Sequence, residues 1–197
     1  FASAFLAGVP TIAKPATPTA YIAEAAVRTI LASGLLPEGS LQFVAGDITP
    51  IFGVLDEQDS LAFTGSAATA QSLRTISAVL ERGVRFSAEA DSLNAAVLAP
   101  SAGPDTAEFG AFCDAVVGEM VAKAGQKCTA IRRVIVPDTH LDTVSDALVA
   151  RLEAITVGHP ADDATDMGAL VGLDQRADVH AAVSSVGART VFAPELP

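Results

Sequence analysis

The side chains whose settings here could support nucleophilic or acid–base chemistry begin with two cysteines and a strand-end carboxylate. The cysteines, Cys113 and Cys128, stand in unlike surroundings. Cys128 lies in "VAKAGQKCTAIRRVIVP", residues 121–137, just after Gly125-Gln126-Lys127 and just before an apolar, strand-like run. The reactive form of a thiol is the thiolate, which loop amides and a neighbouring cation such as Lys127 would favour. Spacing alone leaves Cys128 open between an inert loop thiol and a nucleophile, so it needs a partner. Cys113 has Phe109, Phe112, Val116, Val117 and Met120 at helical neighbour spacings and reads as core.

The partner candidate is Glu89 in "RFSAEADSLN". A carboxylate ending an apolar strand can face a cleft, where partial burial would raise its pKa toward that of a general base. An exposed strand-end glutamate is the equal alternative, and Asp91 competes for the role. In "LAFTGSAATA", strand residues run through Gly65-Ser66 into a helix start, where first-turn amides and the helix dipole can hold an anion. Such a turn also serves plain chain reversal. It departs from the G-x-G-x-x-G pattern, because Ala70 stands where a later glycine is expected. Lys14, in "AKPAT", follows another strand and is either a nucleotide counter-charge or a solvated lysine. His140, His159 and His180 are scattered, so no metal site is expected.

These residues are carried by alternating elements. "VPTIAK" reads as a strand, and "TPTAYIAEAAVRTILASG" as a helix with Thr17 as N-cap, Pro18 at its first position and Gly34 past its end. "LQFVAG" is a strand, and a short helical stretch runs from about Pro50 to Asp56. "LAFTG" and "VRFSAE" are strands around one helix, "ATAQSLRTISAVLERG". The alternation predicts an α/β fold: a parallel, Rossmann-like sheet covered by helices, with ligands at the carboxyl ends of strands. "SLNAAVLAPSAGPD" reads as a crossing between domains, giving residues 1–97 and 98–197 as separate parts. Beyond it come a helix over about Ala107–Ala124, the strand "IRRVIVP", helices "THLDTVSDALVARLEAI" and "LDQRADVHAAVSSVG", and a strand "RTVFA".

Composition bounds the setting. Half of the 197 residues are hydrophobic, enough for a sizeable core, and no apolar run reaches membrane-spanning length. A net charge of -11 without a basic cluster repels nucleic acid and anionic lipid, so any phosphate ligand must be held locally. Two cysteines make no disulfide scaffold, and a reducing cytoplasm is the expected compartment. The opening "FASAFLAGVP", without Met, leads us to expect a piece of a longer polypeptide.

Taken in order, "IAKPAT", "AFTGSAATA", "FSAEADSLN" and "AGQKCTAIRRVIVP" resemble the successive signatures of the aldehyde dehydrogenase superfamily. "VGHPADDATDMGALV" is similar to a downstream segment of that family. The wording "EADSLN", in place of a commoner Glu-Leu-Gly-Gly run, most resembles the bacterial ring-opening dehydrogenases of phenylacetate degradation. Those oxidise a semialdehyde carried on a coenzyme A thioester, and a close cousin acts in benzoyl-CoA degradation. The resemblance implies the family's fold, a nucleotide-binding part followed by the start of a catalytic part, and a homo-oligomer for the whole protein. It implies Cys128 as nucleophile, Glu89 as the base that activates water, Lys14 at the nucleotide ribose, and Gly65 with Ser66 at the pyrophosphate.

One departure bears on the cofactor. Thr17 stands where NAD-preferring members commonly carry a glutamate, and a neutral threonine would not repel a 2'-phosphate. NADP is therefore expected, with NAD possible. The family's oxyanion-hole asparagine falls before Phe1, so this segment alone is expected to be inactive. An acylating dehydrogenase is the alternative within enzymes, although such members typically lack a base at the Glu89 position. A non-catalytic descendant of the fold is the alternative outside them.

Overall fold

The computed structural model describes residues 1–194, and every strand ladder in it is parallel. A parallel pair cannot be closed by a tight hairpin; it needs a crossover. The chain supplies three. After a short helix α1 (Ala2–Leu6), strand β1 (Thr11–Ala13) passes through helix α2 (Ala20–Ala32) to its neighbour β2 (Leu41–Phe43). A short helix α3 (Thr49–Phe52) then leads to β3 (Ser60–Gly65), which crosses through α4 (Ala67–Arg74) and α5 (Ser77–Leu80) to β4 (Arg85–Ala90). Strand β5 (Ala95–Val97) crosses through α6 (Ala107–Val121) to β6 (Arg133–Ile135), and helices α7 (Leu141–Glu153) and α8 (Leu173–Val186) follow. The expected parallel arrangement is therefore present as three two-stranded ladders.

The chain forms two compact units, one from Phe1 to Ala90 and one from Asp91 onward. In the first, Leu41, Ala70, Ala78 and Val84 are buried. In the second, Leu98, Phe109, Cys113 and Val144 form the core, so the α6 stripe read from spacing is the buried one. Met120, at the far end of that stripe, is exposed. Thr106 starts α6 by accepting the Phe109 N–H on its hydroxyl at 3.3 Å. Among the described residues no helix is long and apolar enough to cross a membrane.

Five local expectations are corrected. Thr17 is not the N-cap of a continuous helix: it opens a 3-10 turn, Thr17–Thr19, and α2 begins at Ala20. Pro18 has no N–H to give, and the Thr19 N–H closes on the Ala16 carbonyl at 3.2 Å, the tighter i to i+3 spacing. The second helix is split into α4 and α5, because Ile76 is extended at φ -70°, ψ 147°. Arg82 fixes the later half by donating Nε to the Leu55 carbonyl at 2.8 Å and Nη2 to the Phe52 carbonyl.

Helix α6 ends at Val121, not Ala124, because Lys123, Ala124 and Gly125 are all left-handed, with φ of 54°, 52° and 69°. Residues 189–193 form no strand, since no neighbouring strand pairs with them among the described residues. Conversely, β5 lies inside the segment read as a crossing, where its Ala95–Val97 pairs with Arg133–Ile135.

Candidate active site

Cys128 stands at a corner of the backbone. The Ala130 N–H bonds the Lys127 carbonyl at 3.2 Å, closing a four-residue turn with Cys128 and Thr129 at its centre. Ala130 is fully buried and anchors the turn, while Cys128 is free and exposed. The left-handed run from Lys123 to Gly125 makes the reversal from α6 into this turn. A Cβ built at Gly125 would meet only ordinary contacts, so the positive φ, not crowding, is what favours glycine there.

Several side chains hold the loop. Asn94 donates Nδ2 to the Cys128 carbonyl at 2.6 Å and to the Ala130 carbonyl at 3.3 Å. Its own carbonyl accepts the N–H groups of Arg132 and Arg133 at 3.0 and 3.2 Å. Arg132 donates Nη2 to the Gly125 carbonyl at 2.8 Å. Gln126 donates Nε2 to the Lys123 carbonyl at 3.0 Å and accepts the Val171 N–H on Oε1 at 2.9 Å, tying in the segment that ends "GALV". Neither Asn94 nor Gln126 was singled out from the sequence, because their partners are backbone groups that no residue pattern displays.

Lys127, read from the sequence as a cation beside the thiol, is paired with Glu119 at 2.8 Å. Its charge is compensated locally. Cys113 is the opposite case to Cys128: it is fully buried, and burial pushes its thiol up, with the Arg151 charge opposing and Asp114 adding to the effect. That thiol stays protonated and inaccessible.

The remaining candidates lie in the first unit. Lys14 is exposed one residue beyond β1, and Thr17 is exposed in the 3-10 turn. Asp47 is close enough to Lys14 for their charges to interact. Its carboxyl is held below the usual value first by the Thr49 hydroxyl at 2.6 Å, then by the Thr49 N–H at 2.9 Å, and then by Lys14. Gly65 ends β3, and a Cβ built on it would lie 2.5 Å from the Phe63 ring, so glycine lets that ring cross the turn. Ser66 caps α4, its hydroxyl accepting the Thr69 N–H at 3.2 Å and donating to the Thr69 hydroxyl at 2.9 Å.

Glu89, on β4, pairs in register with Thr64 of β3 and is exposed; the partial burial expected of it is not found. The short ladder β3–β4 leaves alternate side chains, Glu89 among them, in water. Glu89 and Cys128 are carried by different units. Asp91 takes a left-handed φ of 54°, a conformation that suits glycine best and aspartate better than most.

The model of the aldehyde dehydrogenase family matches residues 1–191. The chain is 43% identical over 176 residues to 3,4-dehydroadipyl-CoA semialdehyde dehydrogenase of Aromatoleum evansii, covering 89% of this chain and 34% of that protein. It is 30% identical to 1-pyrroline-5-carboxylate dehydrogenase of Oceanobacillus iheyensis, covering 86% and 33%. The chain thus spans about a third of the length of the curated relatives it matches. Among solved structures, proline utilization A of Bradyrhizobium japonicum superposes with a TM-score of 0.81 at 30% identity, over 99% of this chain and 20% of that one. Betaine aldehyde dehydrogenase of Staphylococcus aureus, in complex with NAD+, shares the fold with a TM-score of 0.77 at 20% identity, over 91% of this chain and 36% of that one. With parallel crossover units, the matching fold and a family match over nearly every residue, the chain belongs to the aldehyde dehydrogenase family.

Proposed function

We propose that these residues serve an NAD(P)-dependent dehydrogenase that oxidises a coenzyme A-linked semialdehyde to a carboxylate, with NADP as the preferred cofactor. The observation that carries the reading is the exposed thiol of Cys128 on a turn held by neighbouring side chains, set against the buried Cys113. The substrate class rests on the similarity to the Aromatoleum protein. Nucleotide binding is assigned to residues 1–97 and the start of the catalytic part to 98–197.

The donor set of the first unit fits a nucleotide. Lys14 offers an ammonium, Thr17 and Ser66 offer hydroxyls, and α4 offers an exposed first turn next to Gly65, at the carboxyl ends of β1 and β3. When bound, a nicotinamide dinucleotide supplies the acceptor for the hydride that the adduct loses. The protein does the rest. The Cys128 thiolate forms a carbon–sulfur bond to the aldehyde carbon, which leaves the negative charge on oxygen. After oxidation the acyl group is a thioester on Cys128. Glu89 takes a proton from water as the water oxygen bonds to the acyl carbon, and the carbon–sulfur bond breaks to release carboxylate and return the thiolate.

Replacing Cys128 by alanine in the protein at its natural length should abolish aldehyde oxidation; retained turnover overturns the assignment. Glu89→Gln should spare the first turnover and slow the second step, giving one burst of reduced cofactor and then a slow steady state. A variant with neither burst nor acyl-enzyme mass would place Glu89 elsewhere in the reaction.

A further inference from the structure

We infer that Asn94 is a positioning residue for Cys128, fixing the peptide that follows the thiol; this rests on the reading of Cys128 as nucleophile. In a four-residue turn the central peptide, here Cys128–Thr129, can face either way, and the two orientations are the difference between type I and type II turns. The carbonyl that reports this orientation is the one Asn94 holds, at 2.6 Å. The same Nδ2 reaches the Ala130 carbonyl at 3.3 Å, so one amide spans the turn from its corner to its buried end.

The main chain of Asn94 holds the exit as well. Its carbonyl accepts from Arg132 and Arg133, and one residue further on β5 begins its ladder with β6 at Ala95 and Arg133. Asn94 is therefore fixed by the strand pair before its side chain meets the turn. An amide so mounted transmits the position of a rigid element to the backbone that aims the thiol. Glycine, alanine or aspartate at 94 would keep the ladder and lose both donors. The rate of attack depends steeply on such aim, because a misplacement of about 1 Å can cost about a hundredfold.

The test is made in the protein at its natural length with Asn94→Asp, which keeps the shape and removes the donors. Reactive Cys128 thiols are counted by iodoacetamide labelling and mass spectrometry, and the burst of reduced cofactor is measured per counted thiol. The expected result is a burst about 10- to 100-fold slower per thiol, with little change in the count. Relative to wild type, the deficit should persist unchanged from about pH 8 to about pH 6, because an aspartate of ordinary pKa near 3.9 stays ionised there and cannot donate. A residue that merely supported folding would lower the count and leave the rate per thiol unchanged, which would overturn the inference. Asn94→Gln, with the donors one methylene further out, should be slowed less. In the unaltered protein, Asn94 side-chain amide protons should exchange slowly with solvent; free exchange would also overturn it. Turnover surviving in Cys128→Ala would instead sink the nucleophile reading, whatever the Asn94 variants do.

Discussion

The Lys127 ammonium lies 2.8 Å from Oε1 of Glu119 in the last turn of α6, while the other oxygen of that carboxylate is buried without a hydrogen-bond partner among the described residues. The pair is only partly exposed, so its attraction is set against the cost of desolvating both charges, and removing one partner matters more than the net worth of the pair. It also directs the Lys127 ammonium back onto α6.

Breaking the pair from its two ends should therefore give unequal results. Lys127→Met strands a half-buried carboxylate and should cost about 1 to 3 kcal/mol in urea unfolding. Glu119→Gln should cost less, and by leaving the lysine uncompensated it should speed iodoacetamide labelling of Cys128 about two- to threefold. Equal losses in stability would show that Glu119 is not the desolvated partner.

The two thiols should separate cleanly in a labelling experiment. Under native conditions Cys128 is modified and Cys113 is not, until denaturant exposes the cluster of Leu98, Phe109 and Val144 around it. Cys113→Ala removes one buried sulfur and should cost about 1 to 2 kcal/mol while leaving the rate of aldehyde oxidation unchanged. Native labelling of Cys113 would contradict its placement.

Asp47 gives a pH signature. Its carboxyl lies below the usual value in the folded chain, through Thr49 first and then Lys14, so the folded state holds fewer protons there than the unfolded state. The stability it contributes is present above the ordinary carboxylate range and lost as pH falls through the depressed value. Asp47→Asn should be less stable than wild type near neutrality, with the difference closing below about pH 4. Thermal unfolding across that range reads it directly.

Cofactor choice should follow the charges around Lys14. Thr17→Glu adds a carboxylate three residues after Lys14, whose charge already acts on Asp47, and should lower the NADP to NAD ratio of kcat/KM. A like charge at about 4 Å is worth on the order of 1 kcal/mol in water and about 4 kcal/mol at an effective dielectric of 20; exposure puts the outcome toward the lower figure, several-fold. Asp47→Asn should move the ratio the other way. An unchanged ratio in both variants would show that neither residue faces the ribose.

Legibility in the sequence followed the kind of signal each feature left. The turn at Gly65-Ser66 and the core face of α6 were readable, because strand-to-helix punctuation and helical spacing are local. Thr17 was misread as a cap because Pro18 marks a 3-10 turn as well as a helix start. The break at Ile76 is followed by a half that Arg82 holds through carbonyls 27 and 30 residues away, which no local pattern displays. β5 hides in a segment rich in Ser, Ala and Pro, because its strand character comes from pairing with β6. Asn94 leaves no signal within "FSAEADSLN", since the backbone groups that its side chain meets lie 34 and 36 residues on.

The left-handed run at Lys123, Ala124 and Gly125 restricts how this stretch can vary through descent. Each L-residue in that conformation costs about 1 to 2 kcal/mol, and β-branched side chains suffer most. Neutral drift at 124 should therefore be confined to a narrow alphabet of Gly, Asn, Asp and small residues, while the neighbouring face of α6 drifts under volume alone. A codon-randomised library over positions 123–125, selected only for folding, should return that alphabet and exclude Val, Ile and Thr. The reversal would then be legible as a compositional scar in any set of descendants, independent of whether they keep the thiol three residues later.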